Sequence, residues 1–332
     1  MKDLHKIASE VICPVCRNQL SFNSIKSIYQ CLENHNWEIL SGIPRLVDKK
    51  NNYTSAFGLQ WKRYRKTQLD SYSNTSISKK RLTNSFGKLY KMLEQEKEIS
   101  VLEVGCGAGR FTEILLSNKN VNLTSIDFSN AVEANLENFR ENERHTIIQC
   151  DINKNPFRKE QFDIVVCLGV VQHTTNPEIT IKSIYDLVKP GGYLIFDHYT
   201  HSLSRYTKIG SGILRPIFKR LDPELAMKII EKIVYILFPI HKLVRNIYFF
   251  QILLSRISPV RAYFRSYPEL TDELHYEWAL LDTHDTLTDY YKHLRSRSQL
   301  FNMLTDLAAI NISINKGGNG LVCRAEKPIS NT

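Results

Sequence analysis

An acid followed by three glycines at alternate positions, Glu103-Val-Gly105-Cys106-Gly107-Ala-Gly109, is the part of this chain best equipped to do chemistry. Glycines at that spacing let the backbone turn sharply and bring its N–H groups against a polar ligand. A helix beginning at Arg110 would add the partial positive charge of its first turn. The spacing narrows the ligand. It is not the Gly-x-Gly-x-x-Gly of dinucleotide dehydrogenases, and no Gly-Lys-Ser/Thr follows to take a triphosphate. Glu103 would repel phosphate and attract the ammonium of an amino acid. Asp127, about twenty residues further on, stands where an acid that binds both hydroxyls of a ribose is expected. Phe128 follows it, and Asp151-Ile152 and Leu168-Gly169 close two further apolar runs.

These residues need strands to carry them. Val101, Leu102 and Val104 form an apolar run that reads as a buried parallel strand leading into the glycine turn. Residues 122–126, 146–150 and 162–168 read as three more strands, the last followed by Gly169-Val-Val-Gln-His173. Leu187-Val-Lys-Pro-Gly-Gly192 gives a helix stop and a turn before a fifth strand ending at Phe196. A helix over 298–309 and strands over 310–314 and 320–326 complete the pattern. In this order, the acid-glycine run, the two strand-end acids and the Leu-Val-Lys-Pro-Gly-Gly turn resemble the class I S-adenosylmethionine (SAM)-dependent methyltransferases. The resemblance implies an α/β, Rossmann-like, seven-stranded sheet with SAM as cofactor. It also implies a donor site made of Glu103, Gly105, Cys106, Gly107, Gly109, Asp127, Phe128, Asp151, Ile152, Leu168 and Gly169. Asp151 would pair with the adenine amino group, and Gln60, Trp61 and Tyr64 ahead of the glycine turn would cover the SAM carboxylate.

A second constellation sits at the N-terminus. Cys13-Pro-Val-Cys16 and Cys31-Leu-Glu-Asn-His35 offer four ligands suited to tetrahedral zinc with no open position, a structural rather than catalytic arrangement. About 35 residues bury too little surface to fold unaided, so a metal staple suits them. Residues 37–47, with their Gly-Ile-Pro turn, resemble the closing strand of the zinc ribbons of methyltransferase-activator proteins. A Cys, Cys, Cys, His set ahead of a methyltransferase domain also resembles bacterial guanine-N1 methyltransferases of large-subunit ribosomal RNA. The expected organisation is a zinc ribbon over 1–48, N-terminal helices and linker over 49–98, a SAM-binding domain over 99–199 and 297–328, and a helical cap insertion over 200–296. The ribbon is expected to fold apart from the glycine turn, so that losing Cys16 would unfold 10–47 and spare the cofactor site.

Composition bounds the function. The 332 residues are 42% hydrophobic and 23% charged, enough for a large core. The first six residues lack the apolar region of a signal peptide, and no apolar run approaches the ~20 residues needed to span a bilayer. Seven cysteines without an export signal point to a reducing cytoplasm, with Cys150 and Cys167 as small buried hydrophobes. A net charge of +10 gives an electrostatic footprint for RNA, to which a zinc ribbon would add a docking element. The Lys and Arg are scattered among Asp and Glu, however, and the insertion interrupts the fold at the sheet edge where ligands bind. A large, aromatic-rich cap there favours an enclosed small-molecule or lipid/glycan-pathway acceptor, with RNA the alternative. The basic amphipathic stretch over 228–256 would also suit peripheral contact with an anionic membrane. Methyl transfer from a sulfonium needs alignment, plus a base if the acceptor is a hydroxyl or a protonated amine. His173 and His198, at strand ends, and His284 in the cap, oriented by Asp285, are the candidate bases, with His198 and His284 expected to face the SAM methyl.

Overall fold

The computed structural model describes residues 3–48 and 54–329. Residues 1 and 2 of the expected ribbon and 49–53 of the expected linker therefore fall outside the described residues. The ribbon comprises α1 (Leu4–Glu10), β1 (Ser21–Asn23), β2 (Ile28–Gln30), β3 (Asn36–Leu40) and β4 (Ile43–Leu46). Three helices follow, α2 (Ser55–Arg63), α3 (Asp70–Ser73) and α4 (Ile77–Phe86), then a 3₁₀ segment at Gly87–Glu94. The central unit alternates β5 (Ile99–Val104), α5 (Thr112–Leu116), β6 (Val121–Asp127), α6 (Ala131–Phe139), β7 (His145–Cys150), β8 (Phe162–Cys167), α7 (Pro177–Asp186) and β9 (Val188–His198). The insertion carries α8 (Leu203–Tyr206), α9 (Ile209–Phe218), α10 (Pro223–Leu243), α11 (Tyr248–Ile257) and α12 (Asp272–Thr288). The chain then returns through α13 (Arg297–Asp306) to β10 (Ile310–Gly317) and β11 (Gly320–Glu326).

The strands form one sheet in the order β1-β2-β3-β4-β7-β6-β5-β8-β9-β11-β10. From β7 to β9 neighbours run parallel, and β11 inserts antiparallel between β9 and β10. This stretch is the expected seven-stranded, doubly wound arrangement, whose order reverses at β5. Residues of β5 alternate between two cores: Val101 joins Leu115, Leu123 and Ile164 on one face, and Leu102 joins Ile126, Ile148 and Val165 on the other. Strands buried on both faces read as continuous apolar runs, which is why these four were visible in sequence.

Two expectations need correction. The sheet has eleven strands rather than seven, because the ribbon continues it: β4 pairs parallel with β7 through Arg45↔Gln149 and Leu46↔Cys150. Nor does the ribbon stand apart. Val11, Cys13, Leu20, Tyr29 and Leu46 share one apolar core with Cys150, Ile152 and Phe157. Arg17 donates to the carbonyls of Asn155 and Phe157, each at 2.6 Å, and buried Arg45 donates to Gln149 and to Glu133 at 2.9 and 3.0 Å. An edge strand beside β7 would otherwise leave backbone groups unpaired, and the ribbon supplies them with partners. Smaller differences are local. Within the helices and linker expected over 49–98, α4 stops after Phe86 at Gly87, whose φ is +59°. The Lys-Pro-Gly-Gly turn lies inside β9, where pairing with β8 slips register between Phe162 and Ile164.

Candidate active site

A cavity of about 680 Å³ lies across the carboxyl ends of β5 to β8, the edge at which open parallel sheets bind ligands. Its floor is the glycine turn. The N–H groups of Gly105 and Cys106 both donate to the Ile126 carbonyl, at 2.7 and 3.0 Å. Gly107 N–H donates to Asp127 Oδ2 at 2.9 Å. The backbone N–H and hydroxyl of Ser129 donate to Asp127 Oδ1 at 2.8 and 2.7 Å. Asp127 is thus held by three hydrogen bonds while facing the cavity, and burial pushes its carboxyl up against their pull. Gly105 has φ +71°, and a Cβ there would lie 2.1 Å from a Val170 methyl, so only glycine serves.

All but two of the expected donor residues line this cavity: Gly105, Cys106, Gly107, Asp127, Phe128, Asp151, Ile152, Leu168 and Gly169. Glu103 does not. Its Oε2 accepts from the hydroxyls of Thr112 and Ser125 at 2.5 and 2.9 Å, and burial raises its pKa to about 7. It braces β5, β6 and α5 beneath the turn and is not exposed to a ligand's ammonium. Gly109 is likewise a packing residue, because a Cβ there would lie 2.2 Å from the Phe139 ring. Of the three residues expected from α2 as a cover, Gln60 and Trp61 line the cavity, with Trp61 against Gly107. Tyr64 turns away and donates to Glu231 of α10 at 3.0 Å.

The candidate bases separate sharply. His173 lines the cavity between the rings of Phe57 and Tyr199. Its Nδ1 lies 3.1 Å from the Tyr291 carbonyl, a contact that only Nδ1–H satisfies, leaving Nε2 free to accept. Burial lowers its pKa to about 4, so it is neutral at neutral pH. His198 and His284 do not reach the cavity, contrary to expectation. His198 is fully buried, with Nδ1 at 2.8 Å from the Tyr199 carbonyl. His284 donates from Nδ1 to Gln60 Oε1 at 2.7 Å. Consecutive helical positions diverge by about 100°, so when His284 of α12 turns to α2 its neighbour Asp285 faces the cavity. The expected His284–Asp285 pair is therefore not formed.

The insertion supplies the opposite wall. Asp282 and Asp285, one helical turn apart on α12, face inward together with Arg261, Arg205 and Lys208. Burial, with Asp289 and Asp282 nearby, raises the Asp285 pKa to about 7. Its carboxylate has no hydrogen-bond or ion-pair partner among the described residues. Asp289, fully buried just behind, pairs with Arg215 and Lys292, the latter at 3.0 Å. Arg205 lies 3.9 Å over the Tyr199 ring. Sequence reasoning missed most of this wall. The i,i+3 spacing of Asp282 and Asp285 was its legible sign, whereas Tyr199, Arg205 and Arg261 come together only through the fold.

The N-terminal Cys/His set also assembles. The ligand atoms of Cys13, Cys16, Cys31 and His35 all lie within 4.8 Å of one another. Cys16 and Cys31 sulfurs are 3.5 Å apart, and His35 Nδ1 lies 3.4 and 3.7 Å from the sulfurs of Cys31 and Cys13. Ligands ~2.0–2.3 Å from a tetrahedral zinc stand at about these separations. Each knuckle turns through a left-handed residue, Arg17 at φ +64° and Asn34 at φ +59°.

Part of the chain is similar to known methyltransferases. Residues 102–196 match the family described as a methyltransferase domain. The ubiquinone biosynthesis O-methyltransferase of Coxiella burnetii is 32% identical over 121 residues, 35% of this chain and 51% of that protein. The Shewanella pealeana protein of the same name is 30% identical over 114 residues, covering 32% and 47%. The chain thus spans about half the length of the curated relatives it matches. Among solved structures, the CurJ carbon methyltransferase aligns at 14% identity and TM-score 0.47, over 84% of this chain and 62% of that one. The Haemonchus contortus phosphoethanolamine N-methyltransferase 2 in complex with S-adenosyl-L-methionine aligns at 13% and 0.42, over 74% and 52%. On strand order and family match together, the chain carries an α/β methyltransferase fold.

Proposed function

We propose that this chain transfers the methyl group of SAM to a small-molecule acceptor carrying an acidic group, enclosed between the sheet edge and the inserted helices. One observation carries the reading: a single cavity joins the glycine turn and Asp127 to the wall of Asp285, Arg205 and Arg261. The donor residues fit SAM. Asp127 offers carboxylate oxygens for ribose hydroxyls, Asp151 an acceptor for an adenine amino group, and Phe128 and Ile152 apolar flanks for its ring. Bound there, SAM supplies an electrophilic methyl on a sulfonium. The remaining work falls to the protein: holding the acceptor in line, excluding water, and taking its proton. Asp285 suits the last task, because a base titrating near the working pH balances protonation state against driving force. Arg205, Lys208 and Arg261 suit an acidic substituent. RNA as acceptor has less in its favour, since none of the ribbon residues lines the cavity and inserted helices form one of its walls.

We further propose one structural zinc held by Cys13, Cys16, Cys31 and His35. The soft, four-member donor set and its closure support this, as does a ribbon core that merges with β7. Zinc would then stiffen the strand that ends at Asp151.

Titration calorimetry should find that S-adenosylhomocysteine binds the wild type and binds Asp127→Ala ten- to a hundredfold more weakly, as loss of charged hydrogen bonds worth ~1.5–3 kcal/mol implies. Binding of NAD in place of S-adenosylhomocysteine would refute the donor assignment. With methyl-labelled SAM and a cell extract, label should enter the small-molecule or lipid fraction, and Asp285→Asn should slow this by ~10²–10⁴-fold. Label entering RNA would overturn the acceptor class. The pKa of Asp285, raised from the ~4 of an unfolded chain to about 7, makes the fold lose stability as pH rises through that window. Asp285→Asn should accordingly melt higher than wild type at pH 8, with the difference vanishing by pH 4. Elemental analysis should return close to one zinc per chain. Cys16→Ser should lower the melting temperature of the whole chain and weaken S-adenosylhomocysteine binding, because the ribbon shares its core with β7; metal-free protein of unchanged stability would contradict the zinc site.

A further inference from the structure

The inserted helices present an outer surface that the methyl-transfer reading does not use. α11 has no buried residue, and Phe249 and Phe250 are 69% and 46% exposed. On α10, Ala226, Ile230, Val234 and Phe238 pack inward, while Tyr235, Ile236, Ile240 and Leu243 face out, Leu243 at 83% exposure. On α9, Ile209, Ile213 and Ile217 are all more than half exposed. Exposed large apolar side chains gathered on neighbouring helices mark interaction surfaces.

Charge says what would cover it. From Lys232 to Pro268 the chain contains no Asp or Glu, and Lys232, Lys242, Arg245 and Arg265 are exposed there, Lys242 and Arg245 paired with Asp272 of α12. The stretch from His201 to Leu221, which contains α9, also lacks acids; Arg220 is exposed and Lys219 half-buried at its end, while Arg205, Lys208 and Arg215 turn to the cavity. Helical spacing sets Lys228 and Lys232 on the same exposed face of α10 as Tyr235, Ile236 and Leu243. Apolar side chains accompanied by exposed Arg220, Lys228, Lys232 and Arg265 match the interface of an anionic bilayer, which takes the former among acyl chains and the latter at headgroups. No helix among the described residues is long and apolar enough to cross a membrane, so the contact is peripheral. The cavity opens beside this face. Gly212 and Pro216 of α9 line the cavity and are exposed, and Ile213 and Ile217 are their immediate neighbours on the outer side.

We propose that the outer faces of α9, α10 and α11 dock this protein on an anionic phospholipid surface, with the rim of the cavity against the bilayer. The proposal is independent of the reaction carried out inside. Sedimentation of the full chain with phosphatidylglycerol vesicles, and in parallel with phosphatidylcholine vesicles, tests it. Wild type should partition at least tenfold more strongly onto phosphatidylglycerol, and less at ~0.5 M salt, where headgroup attraction is screened. Phe249→Glu with Phe250→Glu should abolish binding to both vesicles, and Lys228→Glu with Lys232→Glu should remove the preference for phosphatidylglycerol. Both variants should unfold within a few degrees of wild type. Ile213→Glu, on a separate helix, repeats the first test should the paired substitution fail to fold. Wild type that ignores phosphatidylglycerol vesicles overturns the proposal. So does wild type that forms a dimer dissociated by Phe249→Glu, which would make the face a self-interface.

Discussion

The hydrogen bond from Gly107 N–H to Asp127 fixes the rest of the site. It ties the turn after β5 to the tip of β6, and it forms because Gly105 and Gly107 follow a path that side chains would obstruct. Val170, after β8, closes on Gly105, and Trp61 of α2 closes on Gly107. Beneath them Glu103 fastens Ser125 and Thr112 with hydroxyl hydrogen bonds. A buried carboxylate is costly unless it is hydrogen-bonded, and here each acid secures a different layer of the same turn. Asp127 keeps its face to the cavity; Glu103 gives its own up entirely to structure.

Two additions hold this turn from opposite sides. The ribbon extends the sheet past β7 and so steadies the strand that delivers Asp151. The insertion after β9 provides the facing wall and brings in charge that the sheet edge lacks. Asp282, Asp285 and Asp289 lie on or just after one helix, and Arg215 and Lys292 compensate Asp289. Asp285, without a hydrogen-bond or ion-pair partner among the described residues, has its pKa raised to about 7 by burial and by the neighbouring acids. A cluster of like charges in a half-closed cavity sacrifices stability, a common trade where chemistry is done.

Legibility in the sequence followed the range of the interactions involved. The strands β5 to β8 and the residues at their ends were readable because apolar runs, glycine spacing and strand-end acids are local patterns. The clustering of Cys13, Cys16, Cys31 and His35 was readable for the same reason. Glu103 was misjudged because its partners, Thr112 and Ser125, come from two other elements and nothing local reveals them. The histidines failed in a similar way: position at a strand end does not fix which way a ring points, and His198 turns to its neighbouring carbonyl while His173 turns to the cavity. The docking of β4 on β7 was invisible, since it depends on an edge strand seeking a partner over a hundred residues away in sequence.

A crystal structure with S-adenosylhomocysteine bound tests the central claim, that one cavity holds donor and acceptor, most directly. The expected result places its ribose at Asp127, its adenine between Phe128 and Ile152, and its sulfur facing the space bounded by His173, Tyr199 and Asp285. A ligand bound outside this cavity, or one whose sulfur points away from the inserted helices, would contradict it.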